Sequence, residues 1–596
     1  MLETLSTRET GMLYNKELNI AVLDTIGLNG LDTQTHPTAL DPEWLTKADN
    51  IVYTEGNRIT FRKGLKQKTD AEPTGSHIGA LYENRPTDTV YAASGQYFYK
   101  IDFSDIDNAF VNPNTDVVAD GSTTFGYDTG ASDDDWQFAE IEEGLVAVQS
   151  GEDVQLLNGG TWDLMSNDSG YSAPAGVTTF DPSCALGQFG RLWVGGVSED
   201  NSVLYYSKIE DPVAFNNGDA GSIDLKYVWG NDEIVAIKSF GGKLAIFGKQ
   251  NIALYNNPAD ITNIYLDEVI NNTGCIARDS IQSIGDDIYF LSDSGVRSLY
   301  RTAQLDKFPL REISLTVKDE VISNAQNSQN VKSVYSLDEG LYILSFTDIN
   351  VTYVFDIKYP TPKGTPRVTK WRFDGDREPI SLAYSRTYGL LFGEEDGHIC
   401  TYEGYHEVTY DGTSFTNTPF TGSFSTAVLD LGGGAVSSIL KKLLMVVSGG
   451  SGTNVGIKAF KDFELAPSTS ETFTVNAPIG GTAYKWGEAT ALYGCNTSYD
   501  YGGVGYCSTD GSYNTQTACT TAGETWSTIT DTSADDQPTN CSSSPAKFAP
   551  IHGLKEVGIQ LRGDAKYLRF EMDGVTNGYR TALQSITLLY KRGKMY

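Results

Sequence analysis

Ile237-Lys-Ser-Phe-Gly-Gly-Lys-Leu-Ala-Ile-Phe-Gly248 is the clearest copy of a pattern that decides the fold, and Ile281-Gln-Ser-Ile-Gly-Asp-Asp-Ile-Tyr-Phe-Leu-Ser292 is a second. In each copy an apolar run is followed by a tight turn and then by another apolar run. Further copies begin at Ile78, Phe138, Phe189, Val334 and Leu382. Their spacing, 44 to 60 residues, is the length of one four-stranded propeller blade with generous loops. The pattern therefore predicts a β-propeller of about six to seven blades.

The composition favours an all-β chain with more than one domain. Of the 596 residues, 40% are hydrophobic and 11% are aromatic, which is enough to bury a core. The 34 tyrosines and 61 glycines suit pleated strands and tight turns. A chain of this length is expected to form about two to four domains.

The charge is strongly acidic, with 77 acidic and 44 basic residues and a net charge of −33. Tight nucleic-acid binding and docking on an anionic membrane both need clustered Lys and Arg, so neither is expected. Two explanations of the acidity stay open. It provides solubility, or it forms a surface that lets DNA pass without holding it.

The sequence predicts neither a membrane-spanning helix nor a secretory signal. It contains no run of 18 apolar residues. The first ten residues have no basic region followed by an apolar stretch, which a signal peptide requires.

Three regions are predicted along the chain. Residues 1–75 form a non-repeating N-terminal arm, with a short helix that starts at Asp41 and ends near Asn50, followed by a hairpin over residues 51–64. Residues 76–410 form the propeller, interrupted by one helix that Ser314 caps. Residues 411–596 break the repeat and form a C-terminal β-sandwich or platform domain, because half-buried strands recur from residue 423 to residue 590.

A low-complexity insert at about residues 485–548 contains the possible disulfide cysteines Cys495, Cys507, Cys519 and Cys541. Zinc is disfavoured, because structural zinc sites bring cysteines in close pairs and no histidine lies within this cluster. One or two disulfides would need an oxidising environment, and free thiols are the alternative. The isolated Cys184, Cys275 and Cys400 are expected to fill core positions.

No catalytic, cofactor or metal site is predicted. His398 and His406 could face each other across a hairpin, but no nucleophile motif accompanies them. The run Asp133-Asp-Asp135 is interpreted as a loop or a weak cation site. The calcium-loop pattern is incomplete at Asp374, and a single Asp-box-like turn at residues 166–172 is no more than chance gives in such a chain. No converging cluster of arginines and carboxylates is evident.

Several segments resemble the tail nozzle protein of short-tailed bacteriophages, of the tail tubular protein B type. In the propeller region these segments are residues 189–196, 204–216, 229–237, 244–255 and 287–296. In the arm they are residues 27–32, 42–52 and 62–64. The resemblance covers roughly residues 20–410 and the final strands, and it does not cover the insert.

The resemblance implies a role and no catalytic residues. It implies a virion structural protein, made in the host cytoplasm, whose homo-oligomeric ring of six copies forms the distal nozzle of a short non-contractile tail. Its expected partners are a tail adaptor protein, tail fibres or tailspikes, double-stranded DNA in transit, and the host envelope. The arm and the C-terminal strands are expected to pack together as a platform. The alternative is a propeller-type adhesin or depolymerase that binds or cleaves glycans.

Overall fold

The computed structural model describes residues 19–23, 25–54, 58–142, 144–299, 312–373, 377–431, 437–449, 453–475, 505–507, 526–528, 553–576, 578 and 580–592. The chain divides into two compact units. The propeller unit comprises residues 67–402 and 412–414, and the platform unit comprises residues 1–66, 403–411 and 415–596. The predicted boundaries at residues 75/76 and 410/411 stay predictions.

The described residues of the propeller unit form seven antiparallel strand groups in succession, which we call blades 1 to 7. Within each blade, strands that are consecutive in the chain pair with one another, except that the last strand of blade 1, Tyr127–Asp128, pairs with Tyr97–Ile101. Blade 1 contains Ala80–Asn84, Thr89–Ser94, Tyr97–Ile101, Phe110–Val111 and Tyr127–Asp128; blade 2 contains Gln137–Ile141, Gly144–Val148, Gln155–Asn158 and Thr161–Leu164; blade 3 contains Cys184–Gln188, Arg191–Gly195, Val203–Tyr206 and Gly221–Asp224; blade 4 contains Ile234–Phe240, Lys243–Gly248, Ile252–Asn256 and Tyr265–Ile270. Blade 5 contains Gln282–Ile284, Asp287–Ser292 and Gly295–Ser298; blade 6 contains Val331–Ser336, Leu341–Phe346, Val351–Asp356 and Arg367–Trp371; blade 7 contains Pro379–Ser385, Gly389–Glu394 and Ile399–Tyr402.

The first strand of each blade is its inner strand, and the inner strands of blades 7 and 1 are in contact. This contact closes the ring. Ile78, just before blade 1, is fully buried in one apolar cluster with Leu391 and Ile399 of blade 7. The recurring sequence pattern is the hairpin of the first two strands in a blade, as in the pairing of Ile237 with Ile246. The predicted all-β fold with a propeller of six to seven blades is therefore confirmed.

Helices occupy short connections. In the part of the chain that the structure describes, they are the α-helices Lys226–Trp229 and Lys318–Asn327 and the 3₁₀ turns Met165–Asn167, Ile261–Asn263, Arg278–Ser280, Leu315–Val317 and Thr347–Ile349. The helix predicted after Ser314 is confirmed, and its Val317 and Val321 are buried. Ser314 makes no capping hydrogen bond, however; its hydroxyl oxygen accepts the Val296 N–H at 2.9 Å.

The described residues of the platform unit form two large sheets, in which buried and more exposed positions alternate along long strands. Sheet A contains Ile51–Tyr53, Ile59–Phe61, Ala582–Arg592, Ser438–Gly449 and Gly553–Gln560, with Asn19–Val22 and Asp564–Ala565 at its sides. The platform strands of sheet B are Trp44–Asp49, Thr421–Thr426, Tyr567–Val575, Thr453–Lys461 and Thr469–Val475, with Gly30–Leu31 and Leu429–Asp430 alongside. Further described strands are Glu407–Tyr410, Phe415–Thr418, Gly505–Cys507 and Trp526–Thr528; Leu65–Gln67 lies at the division between the units.

The two sheets approach closely at Phe61. A Cβ atom added at Gly422 or at Gly574, both in sheet B, would lie 2.4 Å from the nearest ring atom of Phe61 in sheet A. Glycine is therefore required at both positions for the sheets to pack around this ring. This packing provides the predicted sandwich.

The expected association of arm and C-terminal strands is confirmed. Both Asn19–Val22 and Ile59–Phe61 pair with Ala582–Arg592. The helix predicted to start at Asp41 is wrong: residues Trp44–Asp49 form a strand that pairs with Thr421–Thr426. Leu45 and Ala48 are buried there, so tertiary pairing overrides the local capping signal. The hairpin of residues 51–64 is confirmed by the pairing of Ile51 with Phe61.

Candidate functional site

The inner strands of the propeller bring four charged side chains together. Asp135 precedes the inner strand of blade 2, Arg278 and Asp279 precede that of blade 5, and Lys332 lies at the start of that of blade 6. Blade 2 is not adjacent in the ring to blade 5 or to blade 6. Contacts among these residues therefore cross the propeller axis, and we call the four residues the axial ion network.

The two carboxylates and two cations of the axial ion network satisfy one another. Arg278 donates from Nε and Nη2 to the two carboxylate oxygens of Asp279, each at 2.8 Å, and from Nη2 to Asp135 Oδ1 at 2.9 Å. The Lys332 ammonium group donates to Asp279 Oδ2 at 2.8 Å and also to Asp135. Arg278 Nη1 donates to the Ser183 carbonyl oxygen, before blade 3, at 3.1 Å. The network thus ties four blades together.

The electrostatics of the axial ion network favour the charged form of every member for which a shift is resolved. Burial alone would raise the pKa of Asp279, but the charges of Arg278 and Lys332 outweigh it and lower the pKa. Burial alone would lower the pKa of Arg278 and that of Lys332, but the neighbouring carboxylates outweigh this effect and raise both pKa values. Two positive and two negative charges sum to zero. The network can therefore act as a neutral clamp between blades.

A second set of contacts joins blades 1 and 7 at the opposite ends of their inner strands. The buried Glu83 carboxylate accepts hydrogen bonds from the Arg386 backbone N–H at 2.9 and 3.1 Å and from the Ser385 hydroxyl. Next to it, burial and a hydrogen bond with Asp338 raise the pKa of Tyr384 to about 12. These contacts also serve the closure of the ring.

The run Asp133-Asp-Asp135 lies in the loop before the inner strand of blade 2, which is one of the two interpretations made from the sequence. Asp135 belongs to the axial ion network. Asp134 is buried; it accepts the Gly95 N–H at 2.9 Å and lies 3.2 Å from His77 Nε2. The hydrogen bond between Asp134 and His77 is the main cause that raises the pKa of His77. Among the described residues no group of three or more His, Cys, Asp or Glu side chains is placed to hold a metal ion.

The three isolated cysteines are buried free thiols, as predicted. Burial raises the pKa of Cys184 to about 12 and that of Cys275 to about 11. The pKa of Cys400 is also raised, and its Sγ accepts a hydrogen bond from Arg377 at 3.1 Å. Thiols in this state are poor nucleophiles.

The predicted insert cysteines lie outside the described residues, apart from Cys507. Cys507 ends the strand Gly505–Cys507, and its side chain is not described. The pairing of Cys495, Cys507, Cys519 and Cys541 stays open. Asp374 also lies outside the described residues.

The histidine pair considered from the sequence is divided between the two units. In the propeller unit, His398 Nε2 lies 3.6 Å from Asp396, and its Nδ1 contacts Gln67 at 2.8 Å. In the platform unit, the ring of His406 lies beside Gly578, where an added Cβ would be 2.5 Å from the ring. Each histidine thus has its own polar or packing partners.

The axial ion network was not predicted from the sequence. No converging cluster of arginines and carboxylates was evident from the sequence, but the structure brings Arg278 together with two aspartates at the propeller axis. Asp135 and Lys332 are 197 residues apart in the chain. The available signal was positional: in three repeats, charged residues occur within four residues before the inner strand or at its start.

Comparisons with known proteins place the chain in no family. No family model matches the chain, and no curated protein matches it. None of the described helices is both long and apolar enough to span a bilayer. Among solved structures, the WD40 domain of Pan2 from Neurospora crassa matches with 8% identity and a TM-score of 0.33, covering 57% of this chain and 96% of that domain. The propeller fold is therefore assigned from the strand pairings within the blades and from the contact between the inner strands of blades 7 and 1.

Proposed function

We propose that this chain is a structural protein of a bacteriophage virion. Six copies would form the distal nozzle of a short non-contractile tail, through which the DNA is ejected. The ring would dock to a tail adaptor protein, carry tail fibres or tailspikes, and meet the host envelope during infection.

The main support for the proposal is the way in which the chain is divided between the platform unit and the propeller unit. Strands from residues 19–61 and strands from residues 421–592 share two sheets, and the propeller is inserted between them. A platform built from both ends of the chain gives a rigid body with different surfaces on its two sides. Head-to-tail contacts between such surfaces can close a ring. The inserted propeller then offers many loops for multivalent docking.

The distribution of charge also supports the proposal. The platform unit contains 27 acidic and 21 basic residues, a net charge of −6; the propeller unit contains 50 acidic and 23 basic residues, a net charge of −27. Six copies carry 6 × −33 = −198 in total, of which 6 × −27 = −162 belongs to the propeller units. An acidic channel wall would repel DNA and prevent adhesion during transit.

The ring has a direct test in solution. Light scattering of the purified full-length chain should give a mass near 6 × 64.9 kDa, or about 389 kDa. A cytosolic scaffold with a propeller fold would instead give 64.9 kDa. The acidic channel wall is tested separately. A structure of the ring in which the residues that line the channel are neutral or basic would contradict it.

A glycan-binding or glycan-cleaving propeller is the second candidate, and the axial ion network is the specific observation in its favour. An arginine with nearby carboxylates is a group that such sites use. Here, however, the Arg278 guanidinium is engaged by Asp279, Asp135 and the Ser183 carbonyl oxygen. Sustained release of glycan from host envelope material, abolished by Arg278→Met, would favour this candidate over the structural role.

A further inference from the structure

The sequence contains four Asn-Gly pairs, and the structure describes three of them in full, Asn29–Gly30, Asn158–Gly159 and Asn217–Gly218. In such a pair the backbone nitrogen of glycine can attack the asparagine side chain, because glycine has no Cβ that hinders a close approach. The attack needs a main chain that is free to turn and a glycine N–H that is not held in a hydrogen bond. The three pairs differ in how far they meet these two requirements.

The pair Asn217–Gly218 meets both requirements. The two residues are exposed and lie outside the strands, in the loop between the last two strands of blade 3. The Asn217 carbonyl oxygen accepts the Ala220 N–H at 3.2 Å, but the Gly218 N–H donates no hydrogen bond within the described part of the chain. The Asn217 side chain is held by a long hydrogen bond of 3.3 Å from its Nδ2 to the Ser172 hydroxyl oxygen.

The pair Asn158–Gly159 is equally exposed, but its main chain is restrained. Asn158 ends a strand of blade 2 and pairs with Gly144 on one side and with Thr161 on the other. The two ladders hold its backbone extended, and both must open locally before the chain can turn toward the side chain. The structure therefore protects Asn158, although its sequence context is as favourable as that of Asn217.

The pair Asn29–Gly30 is restrained in another way. Asn29 is half-buried, and its side-chain Nδ2 donates to Glu43 Oε2 at 3.1 Å. The Gly30 N–H, which would have to attack, donates to the Gly27 carbonyl oxygen at 3.2 Å. This pair is therefore protected at both reacting groups.

We propose that Asn217 is a site of spontaneous deamidation, at which the folded chain acquires an aspartate or an isoaspartate. The Gly218 nitrogen attacks Asn217 Cγ, the bond from Cγ to Nδ2 breaks, and the Gly218 amide proton leaves with that nitrogen as ammonia. Water then opens the resulting succinimide at either carbonyl carbon, and one of the two openings routes the main chain through the former side chain. Water is the only co-reactant. The site is independent of the proposed role in a virion.

The product changes the contacts of this loop. A carboxylate at position 217 cannot donate to Ser172 Oγ, which also accepts the Asn216 N–H at 3.2 Å. Each conversion also adds a negative charge close in the chain to Asp219, whose carboxylate pairs with the buried Arg191. The converted chain should therefore separate as a more acidic species in ion-exchange chromatography.

Peptide mapping by mass spectrometry tests the site, with the folded chain incubated at mildly alkaline pH and sampled over time. Since the ladders of Asn158 must open first, its conversion should be at least about tenfold slower than that of Asn217. Asn29 should also convert more slowly than Asn217. In chain unfolded by guanidinium chloride the three pairs should convert at similar rates, because the fold no longer restrains them. Conversion of Asn217 no faster than that of the other two in the folded chain, or the same ranking in the unfolded chain, would overturn the proposal.

A pair of variants supplies the second arm. Asn217→Gln keeps the amide but would have to close a larger ring, so it should remove most of the growth of the acidic species. The matched control Asn158→Gln should retain that growth. An acidic species that grows equally in Asn217→Gln and in the wild type would contradict the proposal. If Asn217→Gln does not fold, the peptide map of the wild-type chain decides.

Discussion

Replacing Lys332 with methionine removes one cation from the axial ion network and keeps most of its apolar stem. Asp279 loses a hydrogen bond of 2.8 Å, and Asp135 loses a contact as well. Arg278 then faces two carboxylates, and the network carries one unbalanced negative charge. The propeller unit is expected to lose stability, because a carboxylate is left buried with too little positive charge beside it.

The expected loss follows from the exposure of the partners. Removing one member of a buried ion pair costs about 3–5 kcal/mol. The side chains of Lys332 and Asp279 are 15% and 22% exposed, so this contact is largely shielded. Asp135 is 53% exposed, and water screens its share of the interaction. We therefore expect Lys332→Met to reduce the free energy of unfolding by about 2–3 kcal/mol.

Urea unfolding followed by tryptophan fluorescence measures this loss, because the propeller unit contains Trp136, Trp162, Trp193, Trp229 and Trp371. The control Lys243→Met breaks the more exposed Lys243–Asp267 ion pair, whose side chains are 34% and 29% exposed. It should reduce the free energy of unfolding by less than about 1 kcal/mol. Asp279→Asn should cost about as much as Lys332→Met. In the double variant, the remaining charges of Arg278 and Asp135 again sum to zero. Its loss in the free energy of unfolding should therefore be about 1–2 kcal/mol smaller than the sum of the losses in the two single variants. Additive losses, or a loss in Lys332→Met equal to that of the control, would refute the clamp.

Three further predictions concern packing and titration. Gly422→Ala should destabilise the platform unit by about 1–3 kcal/mol, because the new Cβ meets the Phe61 ring; thermal unfolding should show partial recovery when Phe61→Leu is added, and no recovery would argue against this clash. Burial raises the pKa of Glu394 to about 7, although the charge of Arg377 opposes this shift. The protonated Glu394 side chain therefore contributes fully to the free energy of unfolding below about pH 4.3, and this contribution is lost as the pH rises through 7. Glu394→Gln should flatten that decline in unfolding curves taken from pH 5 to 8, and an unchanged decline would contradict the assignment. The hydrogen bond with Asp134 raises the pKa of His77. The protonated His77 ring therefore contributes fully to the free energy of unfolding below about pH 6.5, and this contribution is lost as the pH rises through the folded-state pKa. His77→Gln should remove this part of the pH dependence, and an NMR titration should find a His77 pKa above that of a model peptide.

The sequence predicted the features that depend on local order. The inner hairpins of the blades follow from apolar runs around a tight turn, as in Ile281–Ser292, and each such pair forms with few intervening residues. The long platform strands, such as Ser438–Gly449, follow from alternation of buried and exposed positions. The partners of these strands could not be predicted from the sequence, because Ser438–Gly449 pairs with strands that lie more than a hundred residues later in the chain.

The features that the sequence did not predict depend on closure of the fold. Asp41 precedes a pattern typical of a helix start, yet the strand that follows is fixed by its pairing with Thr421–Thr426. The axial ion network requires the ring to be closed before Asp135 meets Lys332. Asp134 was grouped with Asp135 as one acidic run, but the two carboxylates have different partners. Such partners are set by tertiary structure alone.

Electron microscopy of phage particles tests the central claim most directly. Particles of a phage whose genome encodes this sequence would be labelled with gold-conjugated antibodies raised against the propeller unit, residues 67–402. The proposal predicts label at the distal end of a short tail and a sixfold ring in averaged end views of that region. Intact particles that lack the chain, or label confined to the head or to the fibre tips, would contradict it.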